Sequence, residues 1–600
     1  MSSHIPVPKR RNGKPQSCEP CRKSKVRCDH TTPVCTRCIA HGVERNCIYH
    51  PAPLTKPRSK PVSIPRQIQR GPPIFPPSPV PDQNGPGQPP RPPTWSLLSM
   101  QTPRGIEAEF LGPTSFSAVI DDNRDVVDRH TSQFPKISQE VDNCRSEITE
   151  ERIVAGMGVL QLLMEVPNMG DIIHQYHNIS YTYMVPAPFT EACVASMQET
   201  FHGPAAKLKK KQLRKHVLDI FENTHKPLKL FPSIIAKDYH TLFTGPNLRW
   251  EIVGFVLCML GVSLRYDVRT GSEAHTAALP MQRSKSIMYR ILEAVAYCTT
   301  VCQACNSVSH QALWLLYGDT CLKKLVFGDM SYQFWQCLGD LSSMYYALGL
   351  HHDHVKRRHC VPYYQYELCR KYASQIFSID KTFSTLLGRP PRISGRYCRN
   401  IMAADVDDSV LFLENGELEE ALRNFDENGW NTDGNFRNST WRRMMLIVCQ
   451  FREEVLEVCL GAPPDDIRRQ VQDLLTRHEM VWNQIPSHLK YDEITGSEHV
   501  LPPQKYVMMT AYMDQNYSRF LLHRKLVKTT ECSRESLYKI SRSLLATVLQ
   551  LIALSDQTSD MHRDISWFVS SMLSSKISFS NAKSHIYSLL RTTRRQHPSS

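Results

Sequence analysis

From about Glu150 onward, apolar residues recur three and four positions apart, the spacing that gathers them on one face of an α-helix. Two stretches show it best. In Tyr332–Leu350 the stripe is Phe334, Leu338, Leu341, Tyr345 and Leu348. In Glu367–Leu387 it is Tyr372, Ile376, Ile379, Phe383 and Leu386, at the same offsets. Gly349 ends the first helix, and Gly388 followed by Pro390 and Pro391 ends the second. No convincing apolar–polar alternation of the strand kind follows Glu150, so the pattern predicts a large all-α body. Within it, Ile252–Leu264 is apolar almost throughout. Thirteen residues are too few to span a bilayer, so this stretch predicts a buried helix, and no membrane is expected as a partner.

The first quarter of the chain reads differently. Sixteen of the forty-three residues from Pro51 to Pro93 are proline, which removes backbone donors and blocks helix and central strand. The tract predicts an extended, largely disordered linker. No apolar heptad is visible through about residue 135, so no coiled-coil zipper is expected. The chain then acts as a monomer or pairs through its helical body. The pattern divides the chain into a basic arm (1–17), a cysteine module (18–47), a Pro-rich and irregular linker (48–149), the helical body (150–520), and C-terminal helices with a basic tail (521–600).

The cysteine module carries the chemistry. Cys18 and Cys21 form one CxxC pair followed by Cys28; Cys35 and Cys38 form a second followed by Cys47. Thiolate is the best structural ligand for zinc, which takes four in a tetrahedron. Two four-coordinate zincs need eight ligand positions, so six thiolates fill them only if two sulfurs bridge both metals. A disulfide-stapled module or one four-thiolate zinc with two spare thiols would also use six cysteines. Disulfides need an oxidising compartment, and MSSHIPVPKRRNGK lacks the apolar core of a signal peptide. About thirty residues with few large apolar side chains cannot bury enough surface to fold alone, so metal binding would supply the folding energy.

Charge indicates what the module touches. Residues 1–70 hold fifteen Lys and Arg against three acidic residues, a balance of +12 out of +14 for the whole chain. Such asymmetry points to a polyanion partner for the N-terminal end and a near-neutral body behind it. Arg22, Lys23, Lys25 and Arg27 lie between the second and third cysteines. Residues of this kind give salt-dependent affinity for phosphate, and Lys or Arg can read guanine O6 and N7 in the major groove. Lys9, Arg10, Arg11 and Lys14 form a second basic knot, a candidate nuclear import signal or a flexible DNA-contacting arm.

The cysteine spacing resembles that of the fungal Zn2Cys6 binuclear-cluster transcription factors. The resemblance implies two zinc ions per chain, with Cys18 and Cys35 bridging, Cys21 and Cys28 completing one site, and Cys38 and Cys47 the other. Pro33 stands where that family carries a proline between the two halves. It also implies that the first short helix enters the major groove of double-stranded DNA and reads a CGG-like triplet. Lys25 would make the principal base contact. Ser24 stands where the family often has a second lysine, and Arg22, Lys23, Arg27 and Arg37 would contact phosphate. In the body, "ALWLLYG" (Ala312–Gly318), "WQCLGDLSSMYYALGLHHD" (Trp335–Asp353) and "RKYASQIFSIDKTFSTLLGRPPRIS" (Arg370–Ser394) resemble the family's middle homology domain. That implies an all-α regulatory domain open to a small-molecule effector or coregulator, and a nuclear regulator of RNA polymerase II transcription serving a fungal metabolic or biosynthetic pathway.

Other features have plainer readings. Cys298, Cys302 and Cys305 share a helical spacing but read as small buried apolar residues. His351, His352, His354 and His359 with Cys360 lie just past a helix end and read as a solvated loop. Asp405–Glu427 mixes nine acidic residues with Leu and Phe, as activation segments do, yet reads more simply as a surface helix and loop of the body. No P-loop, HExxH, GxSxG or Rossmann glycine run is present, so no enzyme is expected.

Overall fold

The computed structural model describes residues 17–24, 26–49 and 110 and, with short interruptions, 148–557. Lys25, the basic arm, the Pro51–Pro93 tract, His354, His359, Cys360 and the C-terminal tail lie outside the described residues. The chain forms two units, Met1–Pro90 and Arg91–Ser600. Among the described residues there is no strand, only an isolated bridge between Phe425 and Asn431, so the fold is mostly α.

The first unit contains two one-turn helices, α1 (Glu19–Lys23) and α2 (Thr36–Ala40), and a short 3-10 turn, Glu44–Asn46. The second begins with α3 (Glu150–Met164), α4 (Met169–Ile179), α5 (Ala187–His202) and α6 (Lys210–His225). Then come α7 (Trp250–Thr270), α8 (Met281–Ala304), α9 (His310–Phe327), α10 (Tyr332–Ala347) and α11 (Tyr363–Leu387). After the short α12 (Asn415–Ala421) follow α13 (Asn438–Leu460), α14 (Ile467–Asn483), α15 (Pro502–Thr529) and α16 (Glu535–Gln557). The expected division between residues 520 and 521 falls inside α15, a continuous helix that packs on α13, α14 and α16.

Helix α7 is the centre of this unit. Residues 251–264 are all buried, and α7 packs against α4, α8 and α9. Its Gly254 permits the close approach: a Cβ there would lie 2.6 Å from Leu315 and 2.8 Å from Cys298. Among the described residues no single helix is long and apolar enough to cross a membrane; the bent pair α3–α4 reaches that composition only when taken together.

The two stripes face the core as their period predicts. Phe334, Leu338, Leu341 and Tyr345 on α10 are buried, as are Tyr372, Ile376 and Phe383 on α11. Helix α11 ends at Gly388 in the left-handed region (φ 62°), where glycine avoids the Cβ penalty. Four ionisable residues of α11, Glu367, Lys371, Asp380 and Lys381, are buried as well. Each has a partner. Lys371 pairs with Asp408 at 2.5 Å, and Glu367 with Arg370 at 2.9 Å. Asp380 holds Lys381 at 2.8 Å and accepts the backbone N–H groups of Arg392 and Ile393 at 3.0 Å each. Buried charge is tolerable only with such pairing.

The acidic stretch is part of the same packing. Asp405 is buried and accepts from Thr440 Oγ1 at 2.6 Å and Ser439 Oγ at 3.2 Å, while Leu411 packs into the core. Its start is therefore a wall of the body, while Glu417, Glu419 and Glu420 on α12 are exposed. Within the region read as linker, Phe110 docks on the body. Its N–H donates to Ala347 O at 2.6 Å, and its ring lies edge-on to His351 at 5.0 Å.

Candidate metal centre

Each CxxC pair opens a helix. Cys18 is the N-cap of α1 and Cys21 its third residue; Cys35 is the N-cap of α2 and Cys38 its third residue. A three-residue step in a first helical turn brings both sulfurs to one face. The hydrogen bonds repeat between the halves. Arg22 N–H donates to Cys18 O at 3.0 Å and Ile39 N–H to Cys35 O at 3.2 Å. Val26 N–H donates to Cys21 O, and Val43 N–H to Cys38 O, both at 3.0 Å. Cys28 and Cys47 then return from each half, and Glu19 N–H donating to Ile48 O at 3.0 Å ties the module's ends together.

All six sulfurs converge. Cys18 and Cys35 lie 3.6 Å apart, Cys18 and Cys38 3.7 Å, Cys21 and Cys35 3.7 Å, and Cys18 and Cys28 3.8 Å. Thiolates about 2.3 Å from a tetrahedral zinc stand about 3.8 Å from one another, so these separations match the edge of a zinc tetrahedron. The sulfurs fall into two groups of four: Cys18, Cys21, Cys28 and Cys35, and Cys18, Cys35, Cys38 and Cys47. Cys18 and Cys35 belong to both, and they are the pair to which the family resemblance assigns bridging. Among the described residues, these are the groups of Cys, His, Asp and Glu close enough to hold a metal.

Among the described residues, the cysteines form the buried core of the module, flanked by the partly buried Val26, Val34 and Tyr49. Burial pushes the Cys18 thiol up, and pushes Cys38 up to about 12. Burial also raises Cys35, but donation from Cys38 N–H and from neighbouring thiols outweighs it and brings Cys35 down to about 7. Six crowded thiols cannot all ionise on their own; divalent cations would remove that conflict and release the protons. Backbone donors already point at the sulfurs. Cys38 N–H reaches Cys35 Sγ at 3.4 Å, and Cys35 N–H reaches Cys47 Sγ at 3.3 Å.

Two residues beside the ligands carry weight that their spacing does not announce. Tyr49 Oη donates to Thr31 O at 3.0 Å and lies 3.5 Å from Cys28 Sγ. Asp29 accepts from Thr36 N–H at 3.0 Å and from Thr31 Oγ1 at 2.5 Å, bracing the loop between the halves against the start of α2. That loop contains a cis Thr32–Pro33 bond.

Around this core the expected DNA-contacting residues are exposed: Arg22, Lys23 and Ser24 at the end of α1, Arg27 before Cys28, and Arg37 on α2. Lys23 forms a surface pair with Glu19 at 3.1 Å. Lys25, Lys9, Arg10, Arg11 and Lys14 lie outside the described residues. In the body, Cys298 and Cys302 are buried in the core, where burial raises their thiols. Cys305 faces His225 at 3.5 Å and belongs to no metal-sized group. His351 and His352 pack around Phe110.

Residues 16–56 match the family model of the fungal Zn(2)-Cys(6) binuclear cluster domain. That domain binds two zinc ions, and the sulfur geometry fits them. The match supports a zinc-dependent DNA-binding regulator of transcription. No curated protein and no solved structure matches the chain.

Proposed function

We propose that Cys18, Cys21, Cys28 and Cys35 hold one zinc, that Cys18, Cys35, Cys38 and Cys47 hold a second, and that the cluster presents the end of α1 to the major groove of duplex DNA. The observation that carries this reading is the pair of sulfur tetrahedra sharing Cys18 and Cys35. Zinc supplies the folding energy and fixes the two helices. Lys25 reads guanine O6 and N7 within a CGG-like triplet, Ser24 stands beside it, and Arg22, Lys23, Arg27 and Arg37 hold phosphates. The exposure of the last four and of Ser24 supports their share.

The basic knot of Lys9, Arg10, Arg11 and Lys14 directs the chain to the nucleus. The helical body is the middle regulatory domain, the chain acts as a monomer or pairs through that body, and the regulated genes serve a fungal metabolic or biosynthetic pathway. With every position of both zincs taken by sulfur, the cluster leaves no open site for zinc hydrolysis, which favours a binding role over an enzymatic one.

The test is selection of duplexes from a randomised pool by the zinc-loaded full-length chain, with and without a chelator. Enrichment of CGG-like triplets that disappears on chelation is expected. With Lys25→Ala, preference should relax at one base position by about 1–3 kcal/mol. A uniform loss across all sequences would make Lys25 a phosphate contact instead. Enrichment indifferent to chelation would sink the zinc-dependent reading.

A further inference from the structure

Helix α6 opens against two rules of helix electrostatics. The positive end of a helix dipole favours carboxylates, as α3 supplies with Glu150 and Glu151. Helix α6 has no acidic residue in its first turn; Lys209 is its N-cap, and Lys210 and Lys211 follow. Lys211 and Lys215 stand four residues apart, the spacing at which like charges on a helix repel. Between Glu199 and Asp219 the chain has six basic residues and no acidic one, on a body whose residues 71–600 sum to only +2. Lys209, Lys210, Lys211 and Lys215 are all exposed. Glu150, the carboxylate on which Lys210 acts, is already hydrogen-bonded to Arg214. Local rules broken together in this way mark functional positions.

The other face of α6 is fixed. Leu213, Val217, Ile220 and Phe221 are buried in the core. A receptor that reads a basic run as unwound peptide would have to draw Leu213 and Val217 out of it. A polyanion that lies along the helix requires no unwinding.

We infer that the basic face of α6 binds backbone phosphates of duplex DNA flanking the site held by the zinc module. The inference rests on the DNA-binding reading proposed above. Lys209 to Lys215 covers about 9 Å of helix axis, and one DNA strand carries a phosphate every 3.4 Å or so, which gives about three phosphates. Such contacts carry no sequence preference. They add affinity on longer duplexes, because a chain held at its zinc module meets nearby phosphates at high effective concentration.

The test uses two duplexes with the same CGG-like site, one of about ten base pairs and one of about sixty, titrated against salt by fluorescence anisotropy with the zinc-loaded full-length chain. The variant carries Lys209→Gln, Lys210→Gln, Lys211→Gln and Lys215→Gln together. On the long duplex it should bind more weakly than the native chain, with a log–log salt slope shallower by about 2–3, at about 0.9 per phosphate lost. On the short duplex the two should agree within a factor of about two, since only the long one reaches the body. Arginine at the same four positions should keep the native slope on the long duplex. The glutamine variant should also resist urea at least as well as the native chain, because repulsion within α6 is relieved. Equal affinity and slope for native chain and glutamine variant on the long duplex would overturn the inference and leave this face to an acidic protein. Short-duplex binding indifferent to a chelator would instead sink the zinc-dependent reading; the long-duplex comparison decides the inference in either case.

Discussion

Tyr49 fixes the return of the chain past Cys28: its hydroxyl is committed to Thr31 O, and its oxygen rests against the Cys28 sulfur. Groups that orient metal ligands in this way are commonly worth about 10–100-fold in metal affinity. Tyr49→Phe should therefore weaken zinc binding within that range, measured by competition with a chromophoric chelator; unchanged affinity would reduce Tyr49 to a spacer. The six cysteines were legible because zinc fixes both ligand type and spacing. Tyr49 and Asp29 were not, since their roles arise only once the loop closes and brings Thr31 and Thr36 beside them. In the body, His478 makes a residue-scale prediction of another kind. It stacks on Phe451 with ring centres 3.7 Å apart. Burial, aided by Arg519 and Arg452, lowers it from 6.5 to about 4. Between those two values the unfolded chain binds a proton that the folded chain refuses, so stability falls as pH drops from about 6.5 towards about 4. Urea midpoints at pH 7 and pH 5 should differ less for His478→Phe than for the native chain. An equal difference would place the acid sensitivity elsewhere.

Helix α11 shows what a hydrophobic period reveals and what it conceals. The stripe from Tyr372 to Leu386 located the helix, and Gly388 located its end. The stripe left out Lys371, Asp380 and Lys381, yet all three are buried. Their partners explain the difference: Asp408 is 37 residues away in sequence, and Glu453, 3.7 Å from Lys381, comes from α13. Pairings that distant leave no local mark. Removing one member of a buried pair costs about 3–5 kcal/mol because the other charge is left uncompensated. Asp380→Ala should lose stability on that scale in urea denaturation. It strands Lys381 and also frees two backbone donors that fix the Arg392–Ile393 turn. A loss below about 1 kcal/mol would mean that Lys381 is adequately held by Ile393 O and Glu453 alone.

For the whole molecule, the two units draw their stability from different sources. The second has a continuous apolar core running from Ile153 to Ala511. The first has its six cysteines as its buried core. The charge is divided as well, since residues 1–70 carry +12 of the chain's +14. Zinc removal should therefore unfold the N-terminal module and leave the helical circular dichroism of the body nearly intact. Loss of both together would show that the body depends on the metal. The shared pair Cys18 and Cys35 is the central claim, and counting zinc per chain by native mass spectrometry tests it most directly. The native chain should carry two zincs, and Cys35→Ala should lose the ability to hold both. One zinc in the native chain, or two retained in Cys35→Ala, would contradict the shared-sulfur cluster.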